Sequence, residues 1–212
     1  MRAGLCEDAL RLARMVAELM PDEPEALGLA ALLELQASRL RTRARRSGEL
    51  VPLADQDRSR WDRLLIQRGL TMLSRANAAG RTRGPYTLQA AIAACHARAA
   101  SVETTDWPGI VALYTELLDI MPSPVVALNR AVAIGMAEGP AAGLSAVDEI
   151  AGERVFARYH LLPAVRGDLL EKLGRREDAR AEFERAAGMT RNEAEQAWLS
   201  QRVALLREAR FT

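Results

Sequence analysis

The chain is poor in the residues that most often carry chemistry. Of 212 residues, two are cysteine, two are histidine and only 4% are aromatic. Cys6 and Cys95 make a poor disulfide framework and point to a reducing compartment. No run of about 18 uncharged apolar residues occurs, so no membrane-spanning helix is expected. The opening Met1-Arg2-Ala3-Gly4-Leu5-Cys6-Glu7-Asp8 holds no apolar signal core. An excess of one charge is missing too: the formal net charge is +1, which gives no general reason to expect nucleic acid. Lysine is almost absent, Lys172 standing alone among 29 basic residues, which reads as a coding bias and not as a function. There is no sustained apolar–polar alternation and no hairpin signal, which argues against a sheet. Disorder is excluded by a hydrophobic content of 49% with so little net charge. By composition the chain is a soluble cytoplasmic protein.

What is abundant is helix code: Ala, Leu, Arg and Glu. Leu5, Ala9, Leu12, Val16 and Leu19 step by four and three, drawing one apolar stripe. Pro21 and Pro24 interrupt it, and a second helix is expected over 24–46. Its apolar face, with Leu27, Leu29, Leu32, Leu33 and Leu35, is broad enough to be covered on more than one side. A loop follows over 48–53. Asp55 or Asp57 is placed to cap a third helix carrying Trp61, Leu65 and Met72. Further helices are expected over 86–100, from Asp106-Trp107-Pro108 to 121, from Ser123-Pro124 to a breaker-rich stretch over Gly135–Gly143, a short one after it to about Ile150, over 154–173 and over 176–189. Thr190-x-x-Glu193 fits a capping box for the last, in which Leu199, Val203 and Leu206 face inward while Glu193, Glu195 and Arg202 face water. The expected fold is all-α, about ten helices, in one domain over 1–212.

Gly167, Leu170, Gly174, Ala179, Phe183 and Ala186 have the small–large spacing of a tightly crossing helix pair. Tyr114, Leu117 and Pro122, with Ile110 at the small position, repeat half of it, and Ala9, Ala13, Val16 and Pro21 repeat it loosely. The matched positions Ala9, Ile110 and Ala179 lie 101 and 69 residues apart, close to three and two periods of about 34. The pattern resembles the tetratricopeptide repeat, in which stacked helix pairs bury a continuous core only with their neighbours.

Motifs for catalysis are missing. Cys95 and His96 are adjacent, so on a helix they point about 100° apart and cannot clamp one metal, and His160 has no ligand-like partner at helical spacing. No Gly-rich phosphate loop, Gly-x-Ser-x-Gly or paired-carboxylate signature occurs. Three features rise above background. Arg39, Arg41, Arg43, Arg45 and Arg46 put Arg39, Arg43 and Arg46 on one helical face, either a solvated helix end or a contact for phosphate or an acidic partner. Asp55-Gln56-Asp57-Arg58-Ser59-Arg60-Trp61-Asp62 combines dense charge with a large aromatic. Caps and an Arg58–Asp62 pair account for it structurally; a docking surface is the alternative. In the run from Ser123 to Ala133, Asn129 and Arg130 sit inside an apolar helix, either holding neighbouring helices or facing a groove.

Together, 55–62, Gly84-Pro85-Tyr86-x-Leu88-Gln89-Ala90-Ala91-Ile92-Ala93, Asp106-Trp107-x2-Ile110, 123–133 and Tyr159-His160-Leu161-Leu162 resemble the C-terminal tetratricopeptide-like extension of extracytoplasmic-function (ECF) RNA polymerase sigma factors. The resemblance implies a bacterial transcription-initiation protein whose sigma regions bind core polymerase and read promoter DNA. The extension would regulate them through contacts with those regions, with polymerase or with another regulatory protein. The present sequence has no sigma regions, so DNA contact would come only through residues it lacks, and the expectation is a fragment or truncated product. It starts beyond an Asn-Glu-Gly-Tyr-like segment that precedes the extension's first helix in the family.

The expected function is a non-catalytic interaction module with no cofactor, no metal and no membrane partner. Asp57, Arg58, Trp61, Asn129 and Arg130 are its candidate contact or groove-shaping residues. The alternatives are a free-standing peptide-binding adaptor, and a small-molecule sensor or enzyme using Asp57, Arg58, His96 and Arg130.

Overall fold

A computed structural model describes residues 3–44, 51–79 and 82–208. Among them are ten α-helices and no β-strand. In chain order they are α1 (Ala3–Leu19), α2 (Pro24–Ser38), α3 (Arg63–Ala78), α4 (Pro85–Arg98), α5 (Trp107–Ile120), α6 (Pro124–Ala137), α7 (Pro140–Ile150), α8 (Leu161–Lys172), α9 (Arg176–Met189) and α10 (Glu193–Glu208). No helix is long and apolar enough to cross a membrane. The expected all-α architecture is what the chain adopts. Its described residues fall into two compact units, one ending at Pro122 and one beginning at Ser123, where the sequence reading draws a single domain over 1–212.

In the first unit α2 packs against α1, α3 and α4, and α4 packs against α5. No residue of α2 is exposed, so its broad apolar face is covered on several sides as its sequence implies. Enclosure on this scale requires close approach. A Cβ added at Gly28 of α2 would stand 2.7 Å from the backbone nitrogen of Thr87 in α4, and one at Gly69 of α3 would meet Leu35 at 2.7 Å. Several polar groups of α2 are paired accordingly. Glu34, only 1% exposed, accepts from Arg14 Nε of α1 at 2.6 Å. Glu25 caps α4: its carboxylate accepts from the Tyr86 and Thr87 amides at 2.8 and 3.0 Å and from the Thr87 hydroxyl at 2.6 Å. The carboxylate meets the positive end of the helix dipole, and Gly84 is small because Glu25 occupies the space of its Cβ.

α1 departs from the expected stripe. Leu10, Ala13 and Ala17 are buried, the two alanines against Leu27 and Ala30 of α2 and Ala76 of α3, while Leu5 and Leu19 are 68% and 79% exposed and Leu12, Met15 and Val16 also face outward. The interior face is the alanine face, because small residues let the two helices come close. The larger leucines are left outside.

Several boundaries move for local reasons. α2 ends at Ser38, not near 46, and continues as a short 3-10 turn, Leu40–Thr42; Arg45 and Arg46 lie outside the described residues. α3 starts at Arg63, capped by Asp62, whose carboxylate accepts from the Leu64 and Leu65 amides at 3.0 and 3.1 Å. Asp57 caps a separate 3-10 turn, Arg58–Arg60, and Trp61 precedes the helix. The helix expected over 154–173 is broken into a 3-10 turn, Arg154–Arg158, and α8.

The second unit stacks α6 on α7, α7 on α8, α8 on α9 and α9 on α10. Its crossings also run through glycine. A Cβ on Gly143 of α7 would lie 2.6 Å from the Gly135 Cα of α6, and one on Gly167 of α8 would touch the Phe183 ring of α9 at 3.0 Å. The small–large pair Gly167 and Phe183 is the contact its spacing implies. Gly174, at φ +74, closes α8 in the left-handed conformation that glycine adopts without strain, with the Arg175 amide bonded to Leu170 O at 2.9 Å.

Leu199, Val203 and Leu206 face the core as expected, but Arg202 does not simply face water. Its guanidinium stacks over Phe183 at 5.3 Å and Trp198 at 5.6 Å and pairs with Glu171. The capping box over Thr190 and Glu193 does not form. Asn192 Oδ1 accepts from the Ala194 amide at 3.0 Å, while the Thr190 hydroxyl donates to Glu195 at 2.7 Å.

Gly143→Ala should therefore destabilise the second unit by about 1–3 kcal/mol, because backbone must move to admit the methyl group. Gly188→Ala, where a Cβ would meet nothing within 4 Å, should be neutral or gain up to about 1 kcal/mol. Denaturant unfolding of the two variants is the check, and equal effects would contradict the packing described.

Candidate functional site

The segment 55–62 comes together in the first unit with the end of α2 and the end of α4. Gln56 anchors its start: Nε2 donates to Val51 O at 3.0 Å, and Oε1 lies 3.3 Å from the buried Thr42 hydroxyl. The Asp57 carboxylate accepts from the Ser59 amide at 3.0 Å and the Ser59 hydroxyl at 2.5 Å, which holds its pKa below the usual range. Asp57 itself is exposed.

Arg58 and Trp61 are interior residues, 6% and 4% exposed. The expected Arg58–Asp62 pair is not made. Asp62 caps α3, and Arg58 Nη1 donates to His96 O at 3.1 Å, Ala99 O at 3.3 Å and Thr105 Oγ1 at 3.0 Å. Its charge thus meets free carbonyls and the negative dipole at the C-terminus of α4. The guanidinium carbon stands 5.5 Å from the centre of the Trp61 ring. Arg58 Nε and Nη2 and Trp61 Nε1 are enclosed without a hydrogen-bond partner among the described residues.

Two more arginines stand at the end of α2. Arg39 Nε and Nη2 donate to Gln36 Oε1 at 3.2 and 2.6 Å, and Arg43 Nη2 donates to the same oxygen at 2.6 Å. Arg39 and Arg43 therefore share a partner although the chain between them is not α-helical. Burial, with the charge of Arg43 added, lowers the Arg39 pKa to about 10. Among the described residues no Asp or Glu makes an ion pair with Arg39, Arg43 or Arg58. The His96 ring packs edge-on against Trp107 at 5.3 Å, and its Nδ1 is enclosed without a partner. Burial first, then the charges of Arg58 and Arg39, push its pKa down to about 4. It is neutral at pH 7.

Asn129 and Arg130 belong to α6 in the other unit. Asn129 is exposed; Arg130 is half-buried, its Nε enclosed without a partner. Among the described residues neither bonds to a neighbouring helix, so they are not the polar ties between helices that one reading of their sequence offers. His160 lies 2.9 Å from Glu195. Among the described residues no three His, Cys, Asp or Glu side chains gather as a metal site. The sequence reading passes over Gln36, Thr105 and Glu25, whose roles depend on chain-distant partners. Glu34 carried a signal: it is an acid in an otherwise apolar helix.

Residues 1–77 match the model of DUF6596, a family of unknown function. Over 197 residues the chain is 48% identical to the uncharacterized protein R00370 of Rhizobium meliloti (strain 1021), an alignment covering 93% of this chain and 46% of that protein. The chain thus spans less than half the length of that relative. A tetratricopeptide repeat protein from Parabacteroides merdae ATCC 43184 superposes with a TM-score of 0.59 over 96% of this chain and 65% of its own, at 14% identity. At that identity the likeness is one of fold: the architecture is tetratricopeptide-like.

His96 makes the first unit sensitive to acid. In the unfolded chain it takes up a proton as the pH falls through its ordinary 6.5, whereas in the folded chain it does so only near 4. Stability from this group is complete above about pH 6.5 and declines as the pH falls towards 4, by roughly 3 kcal/mol in all. Denaturant midpoints measured from pH 7 to pH 4 should fall more steeply in the wild type than in His96→Gln; parallel profiles would contradict the placement of the ring.

Proposed function

We propose that this chain is a non-catalytic, regulatory protein-interaction module of an ECF-type RNA polymerase sigma factor, modulating transcription initiation through contacts with the sigma regions or polymerase. The observation that carries the reading is the outward apolar face of α1. Leu5, Leu12, Met15 and Leu19 are all half or more exposed on a helix that already has its own alanine face for the core. A row of large apolar side chains without an intramolecular partner is a common mark of a protein-binding surface. It lies on a tetratricopeptide-like scaffold, an architecture built of rigid helix pairs. Docking onto ordered helices keeps the entropic cost of association low.

The sigma assignment is supported by the ordered set of motifs from 55 to 162 that resembles the sigma-factor extension. The uncharacterized Rhizobium meliloti relative, of which this chain covers 46%, has room for sigma regions in its remaining length. Scarcity of reactive residues supports a role in binding and not in turnover.

Co-expression of the chain with the matching sigma regions should give a stable complex. Leu12→Glu with Leu19→Glu should weaken that complex at least about tenfold while leaving the unfolding free energy within about 0.5 kcal/mol of the wild type, since both side chains are exposed. Absence of any complex, together with unchanged transcription when this part is deleted from the intact protein, would overturn the proposal.

A further inference from the structure

One side of α3 is built into the protein and the other is not. Ile66, Gly69, Leu73 and Ala76 are buried, and the helix packs against α2 and α4. On its remaining side two rows of side chains follow the i, i+4 spacing of helix ridges. Arg63, Gln67, Thr71 and Arg75 make one row, and Ile66, Leu70 and Ser74 make the other. Between them they line an open groove of about 460 Å³, to which no other element contributes among the described residues. Ile66 gives it an apolar floor, Leu70 is half-buried, and Leu64, seven residues before Thr71 on the same side, is 56% exposed. The Thr71 hydroxyl is already spent within the helix, donating to Gln67 O at 2.9 Å.

The charge of this helix is of one sign. α3 holds no Asp or Glu; its charged residues are Arg63, Arg68 and Arg75, all exposed. Among the described residues no carboxylate makes an ion pair with any of them. Asp62, the acid next to Arg63 in sequence, is committed to the helix cap, and Arg75 Nη1 reaches the weak acceptor Met72 Sδ at 3.6 Å. The groove is therefore positive at both ends and apolar in the middle.

We infer that this face of α3 is the docking groove for an acidic amphipathic helix of another protein. A trough between two i, i+4 rows is what the side-chain ridge of a second helix fills. Arg63 and Arg75 stand about 18 Å apart along the axis, so carboxylates about three turns apart on the partner helix meet both. Leu64 and Leu70 lose water beneath its apolar stripe, a gain that a phosphate backbone cannot supply. The groove lies on a different helix from the outward face of α1 and does not require the sigma assignment.

The test uses the full chain and a dye-labelled, alanine-based helical peptide of about 20 residues, with leucines along one face and two glutamates about three turns apart. Fluorescence anisotropy should show saturable binding, and a peptide with lysine in place of both glutamates should bind at least about tenfold more weakly. Arg63→Glu with Arg75→Glu should reverse that preference. Both arginines are exposed and unpaired, so the variant should keep its unfolding midpoint within about 2 °C. Leu12→Glu with Leu19→Glu should bind the glutamate peptide as the wild type does, which separates this groove from the α1 face. Absence of binding, equal affinity for the two peptides, an unchanged preference in the charge-reversed variant, or loss of binding in the α1 variant would each overturn the inference. A single-stranded oligonucleotide that displaces the glutamate peptide and binds more tightly would overturn it in favour of a nucleic-acid backbone.

Discussion

A helix packed against three others sets the terms for the whole first unit. α2 is covered by α1, α3 and α4, so its enclosed polar groups are pressed to pair inside the protein, Glu34 Oε2 alone of those on α2 being left without a hydrogen bond among the described residues. Glu34 takes Arg14, Glu25 takes the amide end of α4, and Gln36 takes two arginines at once. The close approach that makes this possible runs through Gly28 and Gly69, where a methyl group would already collide. The second unit obeys the same rule at Gly135, Gly143 and Gly167. Glycines at these crossings are structural in the strict sense: they set how near two helix axes can come.

The elements were legible because helix periodicity, proline at first-turn positions and glycine at ends are local signals. α4 through α7 begin and end within a few residues of where those signals put them. The choice of inward face was less legible. In α1 the pattern of large apolar residues pointed to Leu5, Leu12 and Leu19, yet the contact with α2 selects Ala13 and Ala17. Hydrophobicity ranks leucine above alanine, whereas a tight crossing ranks them the other way, and only the neighbouring helix reveals which criterion applies. The candidate site shows the same division. The segment 55–62 stood out correctly as unusual, but its charges were assigned to caps and surface, while Arg58 reaches across 38 and 47 residues to His96 O and Thr105. No local rule predicts a partner at that separation.

The two surfaces differ in chemistry. On α1 the exposed side chains are apolar and already free of the core, so a partner could cover them without rearrangement. Around Arg58, by contrast, the charge is enclosed and met by the carbonyls of His96 and Ala99 and by the Thr105 hydroxyl.

The enclosed position of α2 is the claim on which the remainder stands, and amide hydrogen exchange on the full chain tests it most directly. Within the first unit, the amides of α2 and the α4 segment packed on it should be the slowest to exchange, opening only with global unfolding, while those of α1 exchange sooner because α1 packs mainly on α2 and leaves its other face exposed. If α2 exchanges as fast as α1, the helix is not the enclosed centre described, and the pairings built on it do not hold.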